Sequence, residues 1–99
     1  MSQRDNDYTR IILDVSKVQT ARDFQKVLKK QLGFPDFYGM NWDAFWDAIT
    51  GLVELPDEII ILGWNKLIEN LPDDAREFEE LMREFSKEFP MLKSTVIIQ

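Results

Sequence analysis

The chain has 99 residues, of which 44% are hydrophobic and 30% charged, a length and composition typical of one globular domain. It contains no His and no Cys, which excludes disulfides, thiolate nucleophiles, Cys/His zinc sites and every mechanism that needs an imidazole. The whole formal net charge of −6 comes from residues 31–65, where six acids and no bases lie, because the remaining acids and bases are equal in number.

The N-terminal segment, MSQRDNDYTR, is polar, and no apolar run approaches the length of a membrane span. We therefore expect a cytoplasmic protein without a membrane segment. Residues 1–7 are predicted to be a disordered N-terminus, and residues 8–99 to form a single domain. The first element is a buried β-strand over Arg10–Asp14, whose sequence RIILD is apolar and β-branched.

Two helices follow this strand. Thr20, with Asp23 three residues later, predicts the N-terminal cap of the first helix, which continues with helical apolar spacing to Gly33. The segment GFPDFYGMN breaks the periodicity and predicts a loop in which two adjacent aromatic residues are half buried, one of them available as an exposed contact. Asn41 is expected to cap a second helix, WDAFWDAIT, which Gly51 ends.

The second half of the chain predicts two more strands and two more helices. Residues 58–62 (EIIIL) form a continuous apolar run, which favours a central strand covered on both faces. A short helix over 65–70, a long amphipathic helix from Asp73 or Asp74 to near Pro90, and a last strand over 95–98 complete the chain. The fold class is therefore α/β, a three-stranded parallel sheet packed by about four helices in the order β-α-α-β-α-α-β.

The second helix has an unusual polar side. A helical wheel places four apolar residues on the predicted core side: Phe45, Ala48, Ile49 and Leu52. The other side carries Asp43, Trp46, Asp47 and Thr50. Asp47 repels Asp43 across one turn and gains nothing from the helix dipole, so helix stability does not explain it, and we interpret it as a binding contact.

Structural explanations remain open for its neighbours. Asp43 is stabilised by the helix N-terminus, Trp46 is equally suited to packing or to contact, and Thr50 has the position of a satisfied hydroxyl. Glu84, on the long helix, is consistent with an ordinary surface ion pair with Lys87. A catalytic or Mg²⁺-binding pair of carboxylates fits the spacing of the two aspartates, but a convex helix face provides no cleft, which argues against an enzyme.

The string FPDFYGMNWDAFWDAITGLVELP, together with the element order, resembles the barstar family of intracellular ribonuclease inhibitors over nearly the whole domain. The resemblance implies a protein without cofactor or metal that plugs the basic active site of a secreted, barnase-type ribonuclease with an acidic helix over residues 41–51 and the loop before it. It implies that Asp47 is the central anchor and that six further residues make contacts: Asp43, Phe37, Trp46, Thr50, Gly51 and Glu84.

Three residues depart from the family pattern: Phe37 lacks a phenol hydroxyl, Met40 replaces an acid, and Leu52 stands in place of an indole. The expected partner is a basic, barnase-like ribonuclease, not nucleic acid or membrane, and the free protein is expected to be a monomer. An immunity protein against a different basic toxin, such as a DNase, remains the alternative, since an acidic helix would suit either target.

Overall fold

A computed structural model describes residues 8–99, so the prediction for residues 1–7 lies outside the described part. The elements are β1 (Arg10–Asp14), α1 (Ala21–Leu32), α2 (Trp42–Gly51), β2 (Glu58–Leu62), α3 (Trp64–Asn70), α4 (Pro72–Glu88) and β3 (Thr95–Ile98). The three strands pair in parallel in the order β1-β2-β3. The predicted α/β class, the element order and the central position of β2 are confirmed.

The N-terminal caps of α1 and α2 form as the sequence predicts. The Thr20 hydroxyl accepts a hydrogen bond from the Asp23 backbone N–H at 3.0 Å, and the Asn41 side chain accepts one from the Ala44 N–H at 2.7 Å. Each bond satisfies a backbone donor that the first helical turn leaves without an intrahelical partner. These bonds fix where both helices begin.

The C-terminal ends of the two helices differ. Gly33 follows α1 in the left-handed conformation (φ 72°), where a residue without Cβ has no steric penalty. Gly51 does not end α2 in this way, because it is the last helical residue and Leu52 is the cap, in a right-handed conformation. The prediction that Leu52 belongs to the core is wrong: it is 49% exposed, since the helical wheel no longer applies beyond the helix end.

The sequence places the starts of α3 and α4 one or two residues too late. The short helix α3 begins at Trp64 rather than at residue 65, and α4 begins at Pro72 rather than at Asp73 or Asp74. Proline suits the first helical position, because its missing N–H would have no intrahelical partner there and its fixed φ is helical. No helix within residues 8–99 is both long and apolar enough to cross a membrane.

Within residues 8–99 the sheet is covered on one face only, so the prediction that β2 is covered on both faces is not met by this part of the chain. Leu13, Ile59 and Ile61 are fully buried against the helices. Ile60, which points to the opposite face, is only partly buried and does not belong to the core cluster. In the order β1-β2-β3, two right-handed crossovers carry all helices to the same side of the sheet.

An aromatic cluster joins α1, α2 and α4 over the covered face. Phe24, Phe45 and Phe78, one from each helix, are almost completely buried. The Phe78 ring centroid lies 5.8 Å from that of Phe24 and 5.9 Å from that of Phe45. These separations are typical of favourable aromatic pairs. The cluster therefore fixes α2 beside α4, and this places the polar side of α2 next to one side of α4.

Candidate protein-binding groove

The polar side of α2 is exposed where it carries charge and partly buried where it does not. Asp43 and Asp47 are exposed, whereas Trp46 and Thr50 are half-buried. Trp46 packs at the edge of the hydrophobic core, so packing, one of the two roles expected for this residue, accounts for part of its ring. The Thr50 hydroxyl donates a hydrogen bond to the Trp46 carbonyl at 2.7 Å, which is a satisfied hydroxyl as the structural explanation predicts.

A groove runs between α2 and α4, so the expectation of a convex acidic face is wrong. Its walls consist of residues from these two helices only: Trp42, Asp43, Trp46, Asp47, Glu77, Leu81 and Glu84. Four of the seven predicted contact residues therefore meet here, three from α2 and Glu84 from α4. We call this feature the α2–α4 groove.

The α2–α4 groove is strongly acidic. Among the residues that the structure describes, its walls contain four carboxylates and no basic residue. Over residues 8–99 the ion pairs are Arg10–Glu58 and Arg76–Asp73, and neither involves the groove. The predicted pair between Glu84 and Lys87 is therefore not formed. Because the four charges are close together and uncompensated within the described chain, they create a negative potential that favours a cationic ligand.

Three residues of the groove are not among the predicted contacts: Trp42, Leu81 and Glu77. Trp42 precedes Trp46 by four residues, and Glu77 precedes Glu84 by seven, so each pair shares a helix face, a spacing visible in the sequence. The Trp42 indole N–H donates a hydrogen bond to the Asp74 carboxylate at 2.8 Å. This bond connects the first turns of α2 and α4 and helps to hold the groove walls together.

Of the two adjacent aromatic residues in the loop before α2, one is buried and the other is exposed. Tyr38 is buried, with its ring centroid 4.6 Å from that of Phe34, and its hydroxyl donates a hydrogen bond to the Gln25 side chain. Burial raises the pKa of the Tyr38 phenol above its usual value. Phe37 is 77% exposed. The prediction that both rings are half buried is wrong, but an exposed aromatic contact is available, as expected.

The other predicted contact residues do not line the groove. Phe37 is in the preceding loop, and Thr50 lies at the opposite end of α2, where it borders a separate depression with Ile49 and Val53. Gly51 is exposed, and a Cβ at this position would meet no atom within 4 Å. These three residues therefore lie outside the groove.

No metal site accompanies the acidic residues in the part of the chain that the structure describes. Within it, no group of three or more His, Cys, Asp or Glu side chains is arranged to hold a metal ion.

Comparisons of the sequence with known proteins identify a family. The sequence model of the family described as Barstar (barnase inhibitor) matches residues 8–98. A protein of Bacillus subtilis (strain 168), with the name "Putative ribonuclease inhibitor YrdF", is 34% identical over 93 residues, which cover 84% of this chain and 96% of that protein. The matched region includes all the residues of the α2–α4 groove.

Proposed function

This chain belongs to the barstar family of barnase inhibitors, and we propose that it blocks the active site of a basic, barnase-type ribonuclease with its α2–α4 groove. Proteins of this family are inhibitors, so the prediction that the chain is not an enzyme is confirmed. One observation carries the proposed mechanism: four carboxylates converge on a groove without any basic residue. We further propose that this inhibition takes place in the cytoplasm.

The chemistry of a ribonuclease active site explains why it would accept this groove. RNA is a polyanion, so an enzyme that binds and cleaves it presents cationic side chains to the phosphates. Carboxylates on two packed helices offer negative charges at fixed positions, with little ordering required on binding. Asp47 is the proposed anchor, with Asp43 one turn earlier on the same helix and Glu84 on the other wall.

Hydrophobic and aromatic groups complete the proposed contact surface. Trp46 offers a partly exposed indole within the groove, and the 77% exposed Phe37 offers an aromatic ring beside it. Aromatic side chains contribute large contact areas at protein interfaces, and an indole face also binds a guanidinium group. In our proposal, Thr50 and Gly51 extend the contact at the end of α2, where Gly51 lets the partner approach the backbone closely.

Association of the two proteins should depend strongly on salt. Opposite charges accelerate encounter at low ionic strength, and the acceleration decreases as the Debye length falls from about 30 Å at 0.01 M to about 8 Å at 0.15 M salt. The proposal therefore predicts an association rate constant that falls with added NaCl, whereas the dissociation rate constant changes less.

Inhibition of a barnase-type ribonuclease by variants of equal net charge tests this proposal. Asp47→Asn with Glu84→Gln neutralises two groove carboxylates, and Glu79→Gln with Glu80→Gln neutralises two exposed carboxylates of α4 outside the groove. Each double variant reduces the net charge from −6 by the same two units. We expect the first variant to lose inhibition and the second to retain it. Equal losses would contradict a site in the groove.

A negative result with the parent protein separates the ribonuclease target from the alternative. If the parent inhibits no barnase-type ribonuclease but captures a basic DNase or other toxin, the proposed target is wrong. The same pair of double variants then shows whether the groove binds that toxin.

A further inference from the structure

A second cleft, separate from the α2–α4 groove, lies between α4 and the edge strand β3. Its volume is about 520 Å³, and its walls come from α4, from β3 and the connection between them, and from the first residue of α3, Trp64. Sites for small molecules in proteins commonly have volumes of roughly 300–1,000 Å³ and mostly apolar walls with a few polar groups. We call this feature the α4–β3 cleft.

The cleft exists because the helices of residues 8–99 extend only partly over β3. The strand register places Val96 and Ile98 beside Ile59 and Ile61 of β2, so all four side chains point to the helical side of the sheet. Ile59 and Ile61 are fully buried, whereas Val96 is half-buried and Ile98 is 47% exposed. Apolar side chains of the edge strand therefore line the cleft instead of completing the core.

The buried part of the cleft wall is aromatic and holds one hydrogen-bond donor. Trp64 is 6% exposed and Phe78 1%, and their ring centroids lie 6.1 Å apart. The Trp42 indole N–H has an acceptor in Asp74, but the Trp64 indole N–H has none within residues 8–99. Since no fully buried polar side-chain atom of these residues lacks a partner, the Trp64 N–H must reach solvent, and the cleft is a depression that this residue lines.

The rim of the cleft is positively charged, although the chain as a whole is acidic. Arg83 of α4 and Lys93 of the α4–β3 connection line it, and Glu79 is the one acid among the lining residues of the described chain. Both cations are exposed, and neither takes part in the two ion pairs of residues 8–99. A guanidinium and an ammonium group at one rim favour an anionic group, above all a carboxylate.

We propose that the α4–β3 cleft binds a small aromatic carboxylate. The aromatic body lies against Trp64 and Phe78, since aromatic rings pack favourably against one another, and the carboxylate accepts hydrogen bonds from Arg83 and Lys93. The Trp64 N–H is available to a further acceptor atom of the ligand. The sequence of residues 1–7, MSQRDND, offers a single apolar side chain, Met1, and therefore does not suit this apolar cleft.

A ligand in the α4–β3 cleft leaves the α2–α4 groove free. The groove is lined by Leu81 and Glu84 of α4, and the cleft by Glu79 and Ser86. A helical wheel places these two pairs on opposite sides of α4. The carboxylate and a ribonuclease can therefore bind the chain at the same time, and the two proposals stand or fall separately.

An NMR titration of the full chain with naphthoate, an aromatic carboxylate, tests the site. The chain has three tryptophans, so three indole N–H signals are expected, and Trp64→Phe identifies one of them by its loss. Naphthoate should shift the Trp64 signal and leave those of Trp42 and Trp46, which line the groove, in place. A Trp64 signal that does not move up to about 10 mM naphthoate, or shifts confined to the other two, would overturn the proposal.

Variants of equal net charge test the role of the two cations. Arg83→Gln with Lys93→Gln should weaken naphthoate binding at least about tenfold, because the carboxylate loses both charged donors. Lys26→Gln with Lys30→Gln removes two exposed cations of α1 outside the cleft and should bind naphthoate as the parent does. Naphthalenemethanol, which lacks the carboxylate, should bind the parent at least about tenfold more weakly than naphthoate. Equal affinities of the two double variants, or of the acid and the alcohol, would overturn the proposal.

Discussion

The helices α1 and α2 are built alike but differ in where their charged residues lie. Both begin with a side-chain cap, and both bury an apolar side against the core, through Phe24 in α1 and Phe45 in α2. In α1, Asp23 lies in the first turn and Lys29 and Lys30 in the last, which complements the helix dipole at both ends. In α2 no base lies in the last turn, and two carboxylates lie one turn apart on the exposed side.

This difference separates residues that stabilise the fold from residues available for binding. The charges of α1 lower the free energy of the helix itself, by about 0.3–1 kcal/mol for each well-placed residue. The charges of α2 gain little from the dipole beyond Asp43, and their mutual repulsion costs a few tenths of a kcal/mol. A helix that keeps unfavourable charges next to a groove of the same sign is typical of a binding surface.

Removal of one aspartate from each helix should have opposite consequences. Asp47→Ala should weaken ribonuclease binding by about 2–5 kcal/mol, because the cations of the enzyme are left buried and unpaired, a general range to which the barnase–barstar complex itself contributes. Its free energy of unfolding should change little. Asp23→Ala should lower stability by about 0.3–1 kcal/mol and leave binding unchanged.

Inhibition constants and urea unfolding of both variants, measured in the same buffer, check this prediction. The comparison between the helices fails if Asp23→Ala weakens inhibition as much as Asp47→Ala does, because global charge would then account for both effects.

Alkaline pH should lower the free energy of unfolding through the buried phenol of Tyr38. Tyr38, in the loop before α2, donates a hydrogen bond to Gln25 of α1, and burial raises the pKa of its phenol above the ordinary value of 10.0. The folded protein therefore keeps the phenol neutral at pH values where the unfolded chain ionises it. Its contribution to stability is complete below about pH 10 and decreases above it, by about 1.4 kcal/mol per pH unit.

Urea unfolding between about pH 9 and pH 11.5 measures this effect. Tyr38→Phe should be less stable at neutral pH, because Gln25 loses its partner, but its stability should fall less steeply with pH. Identical slopes for parent and variant would show that another group dominates the alkaline unfolding.

The two N-terminal caps offer a smaller and sharper contrast. Thr20→Ala and Asn41→Ala should each lower the free energy of unfolding by about 1 kcal/mol, because a first-turn N–H loses its acceptor. Only Asn41→Ala should also weaken inhibition, since the cap of α2 holds the turn that carries Asp43. Inhibition assays at a temperature where both variants remain folded check this contrast. An equal effect of the two variants on inhibition would contradict it.

Local signals made much of the fold predictable. The bounds of β1, β2, β3 and α1 follow from apolar runs of strand length, from Thr20 and from Gly33, and the structure confirms them. The cap of α2 at Asn41 is equally clear from the sequence. Each of these features depends on residues within one or two turns of the chain, where side-chain and backbone preferences act directly.

The errors and omissions depend on contacts between distant segments. The run EIIIL shows that β2 is apolar, but only the strand order shows that none of the helices in residues 8–99 covers Ile60. The stripe on α2 is visible in the sequence, whereas the groove exists only because Phe45 packs beside Phe78 and brings Glu77 and Glu84 to the same place. A helical wheel describes one helix, and a groove requires two.

The most direct measurement determines both the free energy of unfolding and the ribonuclease inhibition of the Asp47→Lys variant. In this variant, Asp43 and the new cation four residues later attract instead of repelling, so the free energy of unfolding should rise by a few tenths of a kcal/mol, up to about 1 kcal/mol. Ribonuclease inhibition should be lost, because the cation would meet the basic active site. A variant that gains stability and loses inhibition is the predicted result. A variant that loses stability, or that still inhibits, would contradict the assignment of Asp47 as a residue kept for binding.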